Sequence, residues 1–266
     1  MPGCPWDLIV TLDDATSELY SAFFVEEEGT LSSLRGLQEV IKTKGLFSSL
    51  YTDRGSHYWL TEEAGGKVDK SRPTQVHRAL QQLGVTLIPA YSPEARGRSE
   101  RAFRTLQDRL PKELALAGIT EMAAANQYLA THFLPAHNQR FAVAAPEVGT
   151  AFIPWVGPHL AEILCVHEER VVAKDNTVHY QGTILQIPQD PHRFHYVKVT
   201  VRVHAYPDGT LAVFHGPRCL ARYHVDGQLI ETGQVQPARH GPTHGSSVPL
   251  IVDPRPTVRD SMSAHG

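Results

Sequence analysis

The segment SSLYTDRGSHYWL, residues 48–60, indicates more about the fold than any other part of the chain. It begins as a short apolar run ending at Tyr51 and continues directly into Asp53, Arg54 and Gly55. A strand edge does not require an aspartate, and an ordinary turn is satisfied by Asp or Gly without an arginine between them. The pattern therefore predicts a strand whose end presents a carboxylate.

The composition predicts a globular protein with a substantial core. The chain has 266 residues, of which 41% are apolar, and its 25 basic and 28 acidic residues give a net charge of −3. No overall basic field attracts nucleic acid, so any such contact has to come from a local cluster. The N-terminus has no basic leader and no window approaches the length of a membrane span. We therefore expect a cytoplasmic protein with no membrane partner.

Cysteine usage argues against a disulfide framework. Cys4, Cys165 and Cys219 are far apart, odd in number and outside any C-x-x-C pair, as expected in a reducing cytosol. Among the fifteen histidines, pairs such as His192 and His195 lack a matching Cys or His pair at ligand spacing. Spacing along the chain therefore does not predict a zinc site.

Hydrophobic periodicity predicts alternating strands and helices in the first part of the chain. The predicted elements, in order, are strand 8–12, strand 18–27, helix 31–45, a strand before Asp53, helix 75–84, strand 85–91, helix 101–118 and helix 121–138. Thr30 is the expected cap of the first helix, and Pro111 is expected to kink or divide the third. Residues 61–74 are polar with Gly and Pro and predict a loop or an excursion of the chain.

The pattern changes in the second part of the chain. Residues 170–188 and 195–223 are β-branched and alternating, with Asp-Asn, Gly and Asp-Gly turns, and they predict a small all-β module. The end of the chain is rich in Gly, Pro, Ser and His and predicts a disordered tail. The expected division is 1–155, 156–228 and 229–266.

Two motifs connect this pattern with a known family. Residues Thr52–Tyr58, TDRGSHY, and Tyr91–Glu100, YSPEARGRSE, resemble the catalytic core of DDE transposases and retroviral-type integrases. The later HNQRFAV, residues 137–143, looks like the end of bacterial insertion-sequence transposase cores. The β-rich module is similar to the small SH3-like barrel that many such transposases carry after the core. The resemblance covers roughly Trp6 to Tyr223.

The resemblance implies an RNase H-like mixed α/β sheet with flanking helices, followed by the SH3-like barrel. It also implies a triad of acids, in which Asp53 matches the second member and Glu100 the third. The first acid belongs to a strand that here would lie before Met1, whereas Asp13 and Asp14 match a turn position. The chain thus resembles a transposase that starts one strand late, either as a truncated remnant or because its start lies upstream.

The implied activity is DNA strand cleavage and transfer by phosphoryl transfer with two Mg²⁺ or Mn²⁺ ions on the acids. The implied partners are transposon-end and target DNA and further copies of the chain. With two acids of three, we expect this chain to be catalytically impaired. The alternative is a non-catalytic DNA-binding or multimerising transposase fragment.

Simpler interpretations remain open for each site residue. Asp53 also fits a turn before a glycine, and Glu100 also fits a first-turn helix acid favoured by the helix dipole. The predicted DNA contacts are arginines in or after the motifs: Arg54, Arg96, Arg98, Arg101 and Arg104. Such charges also fit a solvated helix face paired with acids. His57 and His137 are interpreted as structural or hydrogen-bonding residues.

Overall fold

The hairpin predicted at the start of the chain is present in the computed structural model. The structure describes residues 6–61, 67–69, 71–91, 93–157, 159–189 and 193–230, without the side chains of residues 93–96 and 98. The chain divides into a unit Met1–Glu231 and a unit Thr232–Gly266. The second unit and most of the predicted tail lie outside the described residues.

Strand β1, Asp7–Leu12, pairs antiparallel with β2, Leu19–Val25. Asp13 shapes the turn between them, because its Oδ2 accepts hydrogen bonds from the backbone N–H and the hydroxyl of Thr16 at 2.8 and 2.7 Å. The turn role predicted for Asp13 is confirmed.

Helix α1 spans Thr30–Thr43 and packs against both strands of the hairpin. Gly29, and not the expected Thr30, is the N-cap residue. Its backbone N–H donates to Ser32 Oγ at 2.9 Å, so a serine in the first turn satisfies the N–H of the cap residue itself.

The two strands predicted on either side of helix 75–84 are present, and they form a parallel pair. Strand β3 spans Ser49–Thr52, and the stretch expected to be a loop contains a short antiparallel pair, β4 at Leu60–Thr61 and β5 at Val68–Asp69. Helix α2, Gln75–Gln82, leads into β6, Thr86–Pro89, which pairs parallel with β3.

The helical region that follows is longer than its sequence predicts. Helix α3 runs from Pro93 to Leu116 and continues through Pro111, so the expected division is wrong. Both sides of Pro111 are held by the core, where Leu106, Leu110 and Leu114 are buried, and this packing outweighs the one backbone hydrogen bond that a proline removes.

Three consecutive segments complete the helical part: α4 at Met122–Tyr128, a π-helical turn at Leu129–Phe133 and α5 at Leu134–Phe141. Pro135 lies in the first turn of α5, where its missing N–H disturbs the ladder least. The continuous helical pattern predicted over 121–138 is therefore confirmed, with a local widening at its centre.

Two asparagines from these helices bind the outer edge of β2. The Asn138 side chain accepts from Leu19 N–H at 2.9 Å and donates to Leu19 C=O at 2.8 Å. Asn126 does the same with Phe24, at 2.6 and 3.0 Å. Each amide thus replaces one residue of a neighbouring strand, and the edge groups of Leu19 and Phe24 are satisfied by side chains.

The β-rich part begins after a short helix, α6, Leu160–Ile163. Its strands are β7 Val166–Val171, β8 Thr177–Tyr180, β9 Thr183–Gln186, β10 Thr200–Ala205, β11 Leu211–His215 and β12 Arg218–Tyr223. They form a four-stranded antiparallel sheet in the order β12-β11-β10-β7 and a β8–β9 hairpin around a shared core. The predicted all-β module is confirmed.

Strand pairing in the first part differs from the single mixed sheet expected. Within the described ranges, β1–β2 and β3–β6 are separate two-stranded sheets. Helix α1 joins them, since Gly36 lies against Ile9 and Thr11 of β1 while Leu37 belongs to the core under β6. None of the helices described is long and apolar enough to cross a membrane.

Candidate active site

Asp53 lies directly after β3 and is exposed. Its Oδ1 accepts a hydrogen bond from Gly55 N–H at 2.9 Å, which folds the chain back into a tight turn. A Cβ on Gly55 would lie 3.1 Å from that oxygen and 2.9 Å from His57 Cε1. Glycine therefore allows the His57 ring and the Asp53 carboxylate to pack this closely, and a larger residue here would push both side chains aside by a few tenths of an ångström.

The turn is closed by residues on both sides of it. Tyr58 and Trp59 donate their backbone N–H groups to Gly55 C=O at 3.0 and 2.9 Å. The Trp59 indole N–H donates to Thr52 Oγ1 at 3.0 Å, and both side chains are buried. The last residue of β3 is thus fixed to the far end of the motif, and Asp53 projects from a rigid support.

The second motif starts beside the first because β3 and β6 are parallel. Thr52 aligns with Pro89, and Ala90 N–H donates to Thr52 C=O at 2.9 Å. The exposed Tyr91 ring then lies under the Arg54 guanidinium, whose carbon is 5.7 Å from the ring centre. The structure therefore brings Asp53 and Arg54 together with the start of the second motif at one sheet edge.

Glu100 is exposed and lies within α3, eight residues into the helix. The predicted helix begins only at residue 101, but the segment before Glu100 is already helical from Pro93, because a proline at a first helical position is in helical geometry. Among the described residues, Asp53 and Glu100 do not belong to a group of three or more potential metal ligands.

The predicted DNA-contacting arginines lie around these motifs. Arg101 and Arg104 are exposed on α3, and no described acidic side chain lies within 4.0 Å of either. Arg109, one to two turns later, pairs with Glu113 at 2.8 Å, and its partly buried guanidinium lies over the Phe141 ring. The side chains of Arg96 and Arg98 lie outside the described residues.

A cleft of about 360 Å³ lies beside Arg101. Its lining residues are Ala15, Ser17, Arg101, Ala102, Thr105, His137, Phe141 and Val143. His137 is 3% exposed and its ring contacts those of Phe133 and Phe141, so the structural role predicted for it is confirmed. Burial, followed by the positive charge of Arg109, lowers the pKa of His137.

Sequence reasoning missed Thr52 and Trp59 as positioning residues. Both belong to the quoted segment, but a threonine at the end of a strand and a tryptophan seven residues later have no spacing rule that links them. Their contact depends on the turn formed around Gly55, which brings the indole back over the strand end.

The chain has relatives among curated proteins, although no protein-family model matches it. It is 33% identical over 215 residues to the putative transposase y4bF of Sinorhizobium fredii (strain NBRC 101917 / NGR234), which covers 79% of this chain and 46% of that protein. It is 29% identical over 135 residues to the transposase for insertion sequence IS1202 of Streptococcus pneumoniae, covering 51% and 29%. The chain thus spans less than half the length of these relatives.

A solved structure, the simian T-cell lymphotropic virus intasome in complex with PP2A regulatory subunit B56 gamma, is 16% identical and covers 78% of this chain and 70% of its own. Its TM-score of 0.33 is too low to establish a shared fold. The relationship is shown by the two curated relatives, both of which are named transposases. The chain is therefore similar to transposases over most of its length, and the resemblance drawn from its motifs is confirmed.

Proposed function

We propose that this chain forms the catalytic part of a transposase that cuts and joins DNA strands by metal-dependent phosphoryl transfer. The observation that carries the proposal is the position of Asp53, an exposed carboxylate at the carboxyl end of β3, held by Gly55 N–H and next to the start of the Glu100 motif. Carboxylates at the ends of rigid strands suit a reaction in which the protein mainly positions its reactants.

The donor set fits Mg²⁺ or Mn²⁺ in kind, because Asp53 and Glu100 offer exposed carboxylate oxygens and these ions prefer oxygen ligands. Bound there, the ions would supply charge stabilisation and an activated attacking oxygen at phosphorus. Asp53 contributes a fixed oxygen through its turn. Arg54, Arg101 and Arg104, with Arg96 and Arg98, contribute positive charge for the DNA phosphates.

The first acid of the triad belongs, in this proposal, to a strand that completes an RNase H-like sheet between β1 and β3. Three observations support it. Within the described residues, the β1–β2 and β3–β6 sheets have two strands each, and α1 packs against both sheets. The Asp13 carboxylate is already hydrogen-bonded within its turn. The chain spans less than half the length of its relatives, which have room for such a segment.

The remaining assignments follow from the same proposal. Residues 1–155 form the core, 156–228 a small SH3-like barrel that contacts DNA or another copy of the chain, and 229–266 a tail. To join two transposon ends, several copies of the chain assemble on the DNA. This reaction takes place in the cytoplasm. A second candidate, a non-catalytic DNA-binding or multimerising fragment, is favoured by the absence of a third acid around Asp53 and Glu100 among the described residues.

The test is nicking and strand transfer on a labelled transposon-end duplex with Mg²⁺ or Mn²⁺. This chain is compared with a version extended upstream, each with and without Asp53→Asn or Glu100→Gln. The asparagine retains an oxygen that accepts from Gly55 N–H, so it removes the charge and preserves the turn. Asp208→Asn is the matched control, because Asp208 is also exposed and also accepts from a backbone N–H two residues later, at 3.0 Å.

We expect activity in the extended version that disappears in both site variants and persists in the control. Activity that survives both substitutions would refute the assignment of Asp53 and Glu100. DNA binding without cleavage in both versions would favour the non-catalytic fragment.

A further inference from the structure

Helix α2 contacts the turn of the TDRGSHY motif and also the β-rich part of the chain. The Thr74 hydroxyl, which caps α2, donates to Tyr58 C=O at 3.0 Å. The His77 ring lies against the Trp59 indole, with ring centres 5.3 Å apart, and that indole donates to Thr52. The first turn of α2 therefore supports the far end of the motif.

The same turn of α2 pairs with the outer edge of β7. The Gln75 side-chain amide donates to His167 C=O at 2.9 Å and accepts from His167 N–H at 3.0 Å. On the other edge of β7, His204 of β10 lies opposite His167. Because β7 is the last strand of its four-stranded sheet, Gln75 adds one residue to an open edge, as Asn138 and Asn126 do for β2.

Arg78, one turn further along α2, holds the end of α6. Its Nη2 donates to the carbonyl oxygens of Ile163, the last residue of α6, and of Cys165. Its Nε and Nη1 donate to Gln75 Oε1 at 3.1 Å and Gln82 Oε1 at 2.9 Å. Carbonyl oxygens at a helix end have no partner within the helix and favour a nearby cation. The guanidinium thus joins α2 to the segment that leads into β7.

Apolar packing extends this contact. The motif, α2 and the segment 160–164 share one buried core, which contains Trp59, Val76, Ala79, Leu80, Leu160 and Leu164. The connecting segment is held as well, since Leu46 and Ile153 exchange backbone hydrogen bonds at 2.7 and 2.8 Å. A Cβ on Gly45 would lie 2.5 Å from the Ile153 carbonyl oxygen, so glycine is needed for this approach.

We propose that α2 fixes the Asp53 turn and the β-rich part to each other as one rigid unit, with Gln75 and Arg78 as the positioning residues. Their contacts use backbone groups of a sheet edge and a helix end, so a rotation of the β-rich part breaks several of them at once. The consequence for DNA rests on the proposed function: a DNA end that lies across both parts meets Asp53 at a set distance from the β-rich surface.

The first test measures the distance between the two parts in the full chain and does not depend on DNA. Spin labels are attached to the exposed Cys219 of β12 and to a cysteine introduced by Lys42→Cys at an exposed position of α1. Cys4→Ser leaves the buried Cys165 as the other cysteine. We expect one narrow distance distribution from double electron–electron resonance. A broad distribution in this labelled chain overturns the proposal.

Variants assign the rigidity to particular residues. Gln75→Ala and Arg78→Ala, singly and together, are expected to broaden the distribution, whereas Gln81→Ala, at an exposed position of the same helix, is the matched control and keeps it narrow. Arg78→Lys retains the charge but not the planar fork of donors, so it is also expected to broaden the distribution. Near-ultraviolet circular dichroism establishes that each variant is folded. A folded double variant with a narrow distribution overturns the proposal, and Arg78→Lys is held to the same criterion if the double variant does not fold.

The second test measures strand transfer by the active version of the chain. Gln75→Ala and Arg78→Ala are expected to raise the KM for the transposon-end duplex roughly 10-fold, because the two parts no longer present their surfaces at one set distance. The value of kcat is expected to stay unchanged, since neither residue contacts the reacting atoms. An unchanged KM in variants with a broadened distribution overturns the positioning role. Absence of strand transfer in every version, with the narrow distribution intact, would refute the proposed function and still support the rigid unit.

Discussion

Asn138→Ala tests whether a side-chain amide stabilises the outer edge of β2. In the structure the Asn138 amide holds both the N–H and the C=O of Leu19, at 2.9 and 2.8 Å, and Leu19 is 1% exposed. Alanine removes both bonds and leaves two backbone groups without partners in a buried setting. Alanine has a higher helix propensity than asparagine, so this part of the substitution slightly stabilises α5 and offsets some of the stability lost with the hydrogen bonds.

The magnitude follows from these two bonds. Each hydrogen bond contributes a net of about 0.5–1.5 kcal/mol to the free energy of unfolding. A backbone group that is left buried without a partner costs more, about 1–3 kcal/mol. The expected loss in the free energy of unfolding is therefore about 2–3 kcal/mol for Asn138→Ala. For a chain of this size that corresponds to a decrease in Tm of about 4–12 °C.

Asn126→Ala should cost less, because Phe24 is only half-buried and water can reach part of its backbone. Leu19 and Phe24 are five residues apart on an extended strand, about 16 Å. At that separation the two losses should add to within about 0.5 kcal/mol in the double variant.

The assay is thermal and urea unfolding followed by circular dichroism. Gln139→Ala is the matched control, since Gln139 is an exposed neighbour on the same helix. The reasoning is refuted if Asn138→Ala unfolds at the same temperature as the control.

Three further perturbations test the candidate site and its surroundings. Gly55→Ala should displace the Asp53 carboxylate and reduce strand transfer by the active form roughly 10- to 100-fold; wild-type rates would contradict this. Trp59→Phe leaves the buried Thr52 hydroxyl without its indole donor and should lower unfolding stability by about 1–3 kcal/mol, measured as the urea midpoint. Burial lowers the folded-state pKa of His137 below about 6.5, its value in the unfolded chain, so its contribution to stability is full above that pH and declines as the pH falls toward the folded-state value. His137→Gln should flatten the stability profile below about pH 6.5, and an unchanged profile would contradict it.

The local elements of the chain could be predicted from its sequence. Alternation predicts the β1–β2 hairpin and the strands of the second part, and helical spacing predicts α1, α2 and the long helical region. The motif TDRGSHY predicts a carboxylate at a strand end, and Asp53 lies there. These predictions succeed because the signals are local. Strand and helix periodicity, and the residues that favour turns, determine the backbone conformation over only a few residues.

Element boundaries were predicted less well where packing competes with local preference. Pro111 does not divide α3, since buried leucines on both sides hold the helix together. The segment before Glu100 is helical and not a loop, so Glu100 lies further into its helix than expected. Tertiary contacts outweigh single-residue preferences at such positions.

The sequence by itself determined which elements form and which motifs follow the parallel strands, because those signals are local. Only the tertiary structure decided what those elements bring together. It placed Asn138 against Leu19, 119 residues away in sequence, and aligned His204 with His167 through the β7–β10 register. Neither pairing has a spacing signature, because long-range contacts depend on how whole elements pack and pair.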